Sequence, residues 1–226
     1  MKRLMGAVLI CASAMFAASK QEVEQRIEEA ARVFTEIMQI EDKAIPKELL
    51  EKAHCIAVVP GAKKGGFIVG AKYGKGLMTC RDSSSPMGWT GVSMVRVEGG
   101  SIGAQIGAGE VDVVLVVMNE KGAERLMNNS FTLGAEAGVM AGPVGRDAQA
   151  KTDAFMTAAI LSYSRARGAF AGATLDGATL RYADEDTEAI YEQPVTHKSI
   201  LMGKVKPPSE AKPFYEVLNQ SAPTAA

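Results

Sequence analysis

"PGAKKGGFIVGAKYGKG", residues 60–76, sets six glycines and four lysines within seventeen positions, and the way this stretch folds decides how the strands around it are counted. Glycines interleaved with lysines are the composition of a phosphate-binding loop, so the nucleotide motifs are the first test. A Walker loop needs four residues between its first glycine and the Gly-Lys, followed by a hydroxyl. Here Gly70 stands only four positions before Gly74-Lys75, and Gly76 occupies the hydroxyl position. The dinucleotide pattern fails as well, because Thr79 stands where a third glycine or alanine should open a helix. What remains is a hairpin, with strands over 67–71 and 77–81 joined through Tyr73-Gly74-Lys75-Gly76, whose glycines accept the positive φ of a tight turn.

On either side the texture is that of strands. "CIAVVP" (55–60), "GWTGVSMVRV" (88–97), "GSIGAQIG" (100–107) and "VDVVLVVMN" (111–119) are short, β-branched or glycine-spaced, and separated by turn signals. Val111 to Met118 is nearly continuous apolar sequence, which predicts a strand buried on both faces. Gly99, Gly103 and Gly107, then Gly134, Gly138 and Gly142, recur at every fourth residue; so many glycines weaken a helix and suit strands that another backbone or ring approaches closely. A further strand is expected within "AILSYSRARGAFAGATL" (159–175).

Helices flank this β-rich centre. Val23, Ile27, Ala31, Phe34 and Met38 recur at steps of four, four, three and four, the period of one helix face. The polar side of that helix mixes both signs of charge, which favours packing on the protein's own core over a basic membrane-surface helix. A short helix follows Pro46 through Leu49 and Leu50, another covers "EKGAERLMNN" (120–129), and "YADEDTEAIYE" (182–192) is helical with Asp184 to Glu188 as its solvated start. The expected class is α+β: a β-rich barrel- or sandwich-like core, an N-terminal amphipathic helix and flanking C-terminal helices.

At 226 residues, 47% apolar and 23% charged, the chain has the composition of one soluble globular domain. Lys2 and Arg3 precede an uncharged, small-residue-rich run, Leu4 to Ala18, which reads as a secretory signal, too short for a comfortable membrane span. Processing sites stand after Ala14 and after Ser19. The expected organisation is therefore a signal over 1–19, one domain over 20–204 and a Pro-containing tail over 205–226, exported to a bacterial periplasm or envelope. Loss of Lys2 and Arg3 moves the formal charge from −1 to about −3, so nucleic acid is not an expected partner. Cys55 and Cys80 enter an oxidising compartment, as two buried thiols or as a disulfide.

Taken in order, "IPKELLEKAHCIAVVPGAKKGGFIVGAKYGKGLM", "GGSIGAQIGAGEVDVVLVVMN", "FTLGAEAGVMAGPVGR" and "ILSYSRARGAFAGATLDGATL" resemble the SYLF domain family, over about residues 45–192. The resemblance implies a lipid-binding module acting at a membrane surface, not an enzyme; eukaryotic members are associated with phosphoinositides and actin. By position it points to Lys63 and Lys64 for lipid phosphate, with Lys72 and Lys75 next, on a glycine-rich loop that ammonium groups can use to approach phosphate closely. Anionic phospholipid is the expected partner. The alternative is an envelope scaffold whose glycine-rich sheets bind a protein partner or a second copy.

Catalytic and metal readings find little to build on. Only His54 and His197 are present, with no Gly-x-Ser-x-Gly elbow and no His-Glu-x-x-His. His54 and Cys55 on one strand would point to opposite faces. Zinc would need Cys55, Cys80 and a histidine to converge without a close-spaced pair, and "DEDTE" lacks calcium-loop spacing. No cofactor or metal is expected. Trp89 is either an interfacial anchor or a core ring.

Overall fold

A computed structural model describes residues 19–40, 44–66, 69–102, 107–127, 130–132, 139–144, 158–166 and 178–222. The first helix, α1 (Lys20–Met38), starts at a reciprocal capping box. The Ser19 hydroxyl accepts from the Glu22 N–H at 3.2 Å, and the Glu22 carboxylate accepts from the Ser19 N–H at 3.0 Å. Its buried stripe is wider than the step series, since Ala30, Val33 and Ile37 join Val23, Ile27, Ala31 and Phe34. Short α2 (Lys47–Glu51) follows Pro46.

Four long antiparallel strands come next: β1 (Cys55–Gly66), β2 (Val69–Cys80), β3 (Ser93–Ile102) and β4 (Gly107–Val117). Shorter β5 (Ser130–Thr132), β6 (Val139–Ala141), β7 (Ile160–Ala166) and β8 (Thr179–Tyr182) extend them into one sheet in the order β5-β8-β3-β2-β1-β4-β7-β6. Of these pairings only β6 with β7 is parallel. The α+β class holds, but the sheet has two ends and is not closed. It is neither the barrel nor the sandwich expected from the sequence.

The reason lies in what covers β4. Val114 and Val116 face a layer made by α1, α4 (Asp184–Tyr191) and α6 (Lys212–Ser221), which contributes Ile27, Phe34, Ile190, Phe214 and Leu218. Val113, Leu115 and Val117 face the opposite side, with Ala123 and Leu126 of α3 (Glu120–Leu126) and Leu201 of α5 (His197–Leu201). Helices supply both covers, so double-sided burial needs no second sheet. The region expected as a tail over 205–226 supplies part of one cover. A 3-10 turn (Ser209–Ala211) leads into α6, where Phe214, Tyr215 and Leu218 are buried.

The hairpin expected at Tyr73–Gly76 is also corrected, because β2 runs straight through those residues and the β1–β2 connection falls at 67–68, outside the described residues. The cause is a bulge in β1. Pro60 has no N–H to give a ladder, which confines proline in a sheet interior to such irregularities. The β1–β4 register accordingly slips between Val59 and Ala62. Gly61 takes φ +53° and donates its N–H to Asp112 Oδ1 at 2.9 Å. The bulge presses on β2: a Cβ at Gly74 would lie 2.8 Å from Ala62 Cβ and Val59 Cγ1, and one at Gly76 would overlap the Val58 carbonyl oxygen. These two glycines serve close approach, not a turn.

Cys55 and Cys80 are register partners at the start of β1 and end of β2, and they form a disulfide rather than two thiols. With a separation of 25 residues, the chain-entropy argument gives it about 3 kcal/mol. The bulge makes a sharper forecast. Gly76→Ala should lower the unfolding free energy in urea by about 2 to 3 kcal/mol through overpacking. Gly109→Ala, whose added Cβ meets nothing within 4 Å, should stay within about 0.5 kcal/mol of wild type.

Candidate functional site

The ladder separates the four lysines. Lys63 is exposed on β1 and stands directly across from Tyr73, whose side chain is 47% exposed. Lys64 is the register partner of Lys72 on β2 and of Gly109 on β4. Lys72 is buried, on the face of β2 opposite to Tyr73 and Lys75. Lys75 is drawn inward, its Nζ 3.0 Å from both Asp186 oxygens. The lysines therefore do not converge on one cradle.

Asp186 was read from the sequence as part of a solvated helix start, and the structure places it at 3% exposure instead. It receives Lys75 of β2 and, at 2.7 Å, the Arg26 guanidinium of α1. An acidic residue in the first turn of α4 suits that helix's positive end. The next residue, Thr187, accepts the Met94 N–H through its hydroxyl, which fixes α4 against β3. Nothing in local sequence marks Asp186 out from Asp184 or Glu185, since its burial depends on α1 crossing β2.

A second group of charges lies beside it. In the β2–β3–β8 ladder Lys75, Arg96 and Arg181 form one row, and Tyr73, Glu98 and Thr179 form the next row on the same face. Glu98 takes Arg96 Nε at 3.4 Å and Arg181 Nε at 2.5 Å. Sequence reading missed both arginines, because their adjacency exists only through strand register.

Other ion pairs hold the helices in place. Arg165 of β7 binds Asp112 at 2.7 Å and Glu36 of α1 at 2.5 Å, and that hydrogen bond holds the Glu36 carboxyl below its ordinary value. Lys20 bridges Glu192 at 3.0 Å and Glu210 at 2.9 Å, and holds Glu210 below its ordinary value. Trp89 is a core ring: fully buried, it donates Nε1–H to Asn219 at 2.8 Å, with the Arg81 guanidinium 4.1 Å above it. Burial pushes the Arg81 guanidinium's pKa down and those of the Tyr163, Tyr182, Tyr191 and Tyr215 phenols up.

The two histidines and the cysteines of β1 and β2 lie in separate settings. His54 is exposed, and its neighbour Cys55 is tied to Cys80. His197 stacks on Tyr182 with ring centres 3.6 Å apart. Among the described residues no group of three or more His, Cys, Asp or Glu could hold a metal, and no helix is long and apolar enough to cross a membrane. An open cleft of about 570 Å³ between the end of α4 and residues 206–212 is lined by Tyr191, Tyr215, Pro207, Pro208, Lys206 and Lys212 among others, with neither histidine in its wall.

The chain belongs to the SYLF family, also called Ysc84: residues 98–221 match the family model described as "Las17-binding protein actin regulator". It is 34% identical over 181 residues to an SH3 domain-containing protein of Schizosaccharomyces pombe, covering 78% of this chain and 41% of that protein. Against SH3 domain-containing YSC84-like protein 1 of Rattus norvegicus it is 32% identical over 191 residues, 83% of this chain and 55% of that one. Against LAS seventeen-binding protein 3 of Saccharomyces cerevisiae it is 29% identical over 184 residues, 80% and 39% respectively. The chain thus spans about half or less of these relatives, the last of which is named for binding.

Removing the shared carboxylate should expose its structural role. Asp186→Ala leaves Arg26 and Lys75 without their common partner and should cost about 3 kcal/mol in chemical denaturation, whereas Glu185→Ala should cost less than about 0.5. The lowered carboxyls give a pH dependence with a definite sign. The contribution of Glu210 is complete above its ordinary value of 4.5 and is lost as pH falls through its lowered folded value. Glu210→Gln should therefore flatten part of the acid limb of a thermal-stability profile.

Proposed function

We propose that this chain is a non-enzymatic lipid-binding domain that rests on an anionic phospholipid surface through the β1–β2 hairpin, beyond the part of the sheet its helices cover. The carrying observation is the cross-strand pair of Lys63 and Tyr73, both exposed on one face of β1 and β2. An ammonium beside an amphipathic ring suits the headgroup layer, where each lysine near an anionic surface contributes roughly 1 kcal/mol. Lys64 alternates with Lys63 along β1 and pairs in register with Lys72, so it is not part of that face, while Lys72 is buried and Lys75 is committed to Asp186. A protein partner is the second reading, supported by the relatives named for Las17 binding and actin regulation.

Export to a bacterial envelope belongs to the same proposal. Its support is the Lys2-Arg3 start, the uncharged run to Ala18, and a disulfide of the kind that persists in oxidising compartments. The leader expected over residues 1–19 lies outside the described residues except for Ser19, the N-cap of α1. Cleavage after Ser19 would remove that cap, worth about 1 kcal/mol, so N-terminal sequencing of the exported protein should find Met15, following cleavage after Ala14.

Co-sedimentation with vesicles tests the lipid reading. The chain from Met15 onward should bind phosphatidylglycerol-containing vesicles and not phosphatidylcholine alone, and should release as salt rises. Lys63→Ala/Lys64→Ala should weaken binding by about 1 kcal/mol, nearly all of it from Lys63, since Lys64 alternates to the other face of β1. Absence of binding to either vesicle moves the function to the protein-partner reading.

A further inference from the structure

Two carboxylates on one side of the sheet each carry two cations. Asp186 takes Arg26 and Lys75, and Glu98 takes Arg96 and Arg181. Each group keeps one positive charge in excess. The first is largely buried, whereas in the second the side chains are 39% exposed for Arg96, 45% for Arg181 and 39% for Glu98. The register sets this exposed group beside the Lys63–Tyr73 pair: Tyr73 is the ladder partner of both Lys63 and Glu98, and Arg96 lies two residues before Glu98 on the same face. Glu110 stands across from Lys63 at the far end of that row.

Like charges on adjacent strands in one row are ordinarily destabilising. Lys75, Arg96 and Arg181 occupy such a row, and Ser130 of β5 ends it. The internal partners reduce that cost without neutralising the row. An external anion would complete it.

We propose that the sheet face bearing Lys63, Tyr73, Arg96 and Arg181 is the surface that lies against an anionic phospholipid membrane, with the two arginines leaving Glu98 to hold lipid phosphates. This rests on the lipid-binding reading above and names a residue set that reading does not contain. The arginines and Lys63 lie on strands spaced about 4.8 Å apart, at the margin of α1 and α4 on the same face, so it is this margin that meets the headgroups and not the part under the helices. Guanidinium is also the better phosphate ligand, because its planar fork can bind two oxygens at once. Tyr73 puts an amphipathic ring at the level of the headgroups.

The test uses the chain from Met15 onward with phosphatidylglycerol-containing vesicles. Arg96→Gln and Arg181→Gln should each weaken binding about fivefold. Glu98→Gln should strengthen it, since both arginines lose their internal competitor; the gain should be reversed by salt and absent without vesicles, which sedimentation of a misfolded protein would not be. If wild type binds and Lys63→Ala/Lys64→Ala weakens it, while all three of these variants bind like wild type, the arginine face is wrong and the lipid reading stands. If wild type binds no vesicle, the lipid reading itself fails and this inference falls with it. Release of the protein by soluble glycerol phosphate at low millimolar concentration, with the arginine variants insensitive to it, would overturn the membrane face in favour of a site for a single soluble phosphate.

Discussion

The bulge at Pro60 and Gly61 sits in β1, with three strands on one side of it and four on the other. A proline in that position removes a ladder donor from the middle of the sheet, and the chain answers by slipping register and turning Gly61 left-handed onto Asp112. Much of the surrounding arrangement follows. Asp112 also takes Arg165, which in turn takes Glu36 at the end of α1, so the irregularity is tied to the helix that covers it. Gly74 and Gly76 then complete the accommodation on β2, as the residues whose missing side chains let the bulge fit.

Beyond the bulge the sheet changes character. On the near side its residues are buried between helices on both faces; on the far side β1 to β4 carry lysines, glycines and an exposed tyrosine. Two ionic links mark the boundary, Asp186 with Arg26 and Lys75, and Arg165 with Asp112 and Glu36. Each joins α1 to a strand, and the first also brings in α4. A carboxylate buried with two cations is a costly arrangement that favours one register of helix on sheet, since displacement would strand charges in the interior.

This division separates the packed part of the molecule from its charged surface. Among the described residues the perturbed groups are core phenols, the Arg81 guanidinium over Trp89 and the ion pairs that fasten helices. The charged side chains Lys63, Arg96, Glu98 and Arg181 are spread over a strand face, in a chain that corresponds to about half or less of its relatives.

Local pattern was enough for the apolar period of α1, and for the double-sided burial expected over Val111 to Met118, which holds from Val113 on. It was enough too for the short helices after Pro46 and within 120–129 and 182–192, and the ordered glycine-rich segments carried the family. Local pattern misplaced the β1–β2 turn, because a glycine that permits a positive φ and one that permits a close approach look the same in a sequence. It left open whether the Pro-containing tail over 205–226 lies against the domain or trails from it, since the partner that buries Phe214 and Leu218 lies nearly two hundred residues away in α1. The covers that made one open sheet out of an expected barrel or sandwich, the burial of Asp186, and the row of Lys75, Arg96 and Arg181 were likewise decided only by tertiary structure. Each depends on which segments cross and in what register, and residues far apart in the chain acquire a common electrostatic environment only when packing brings them together.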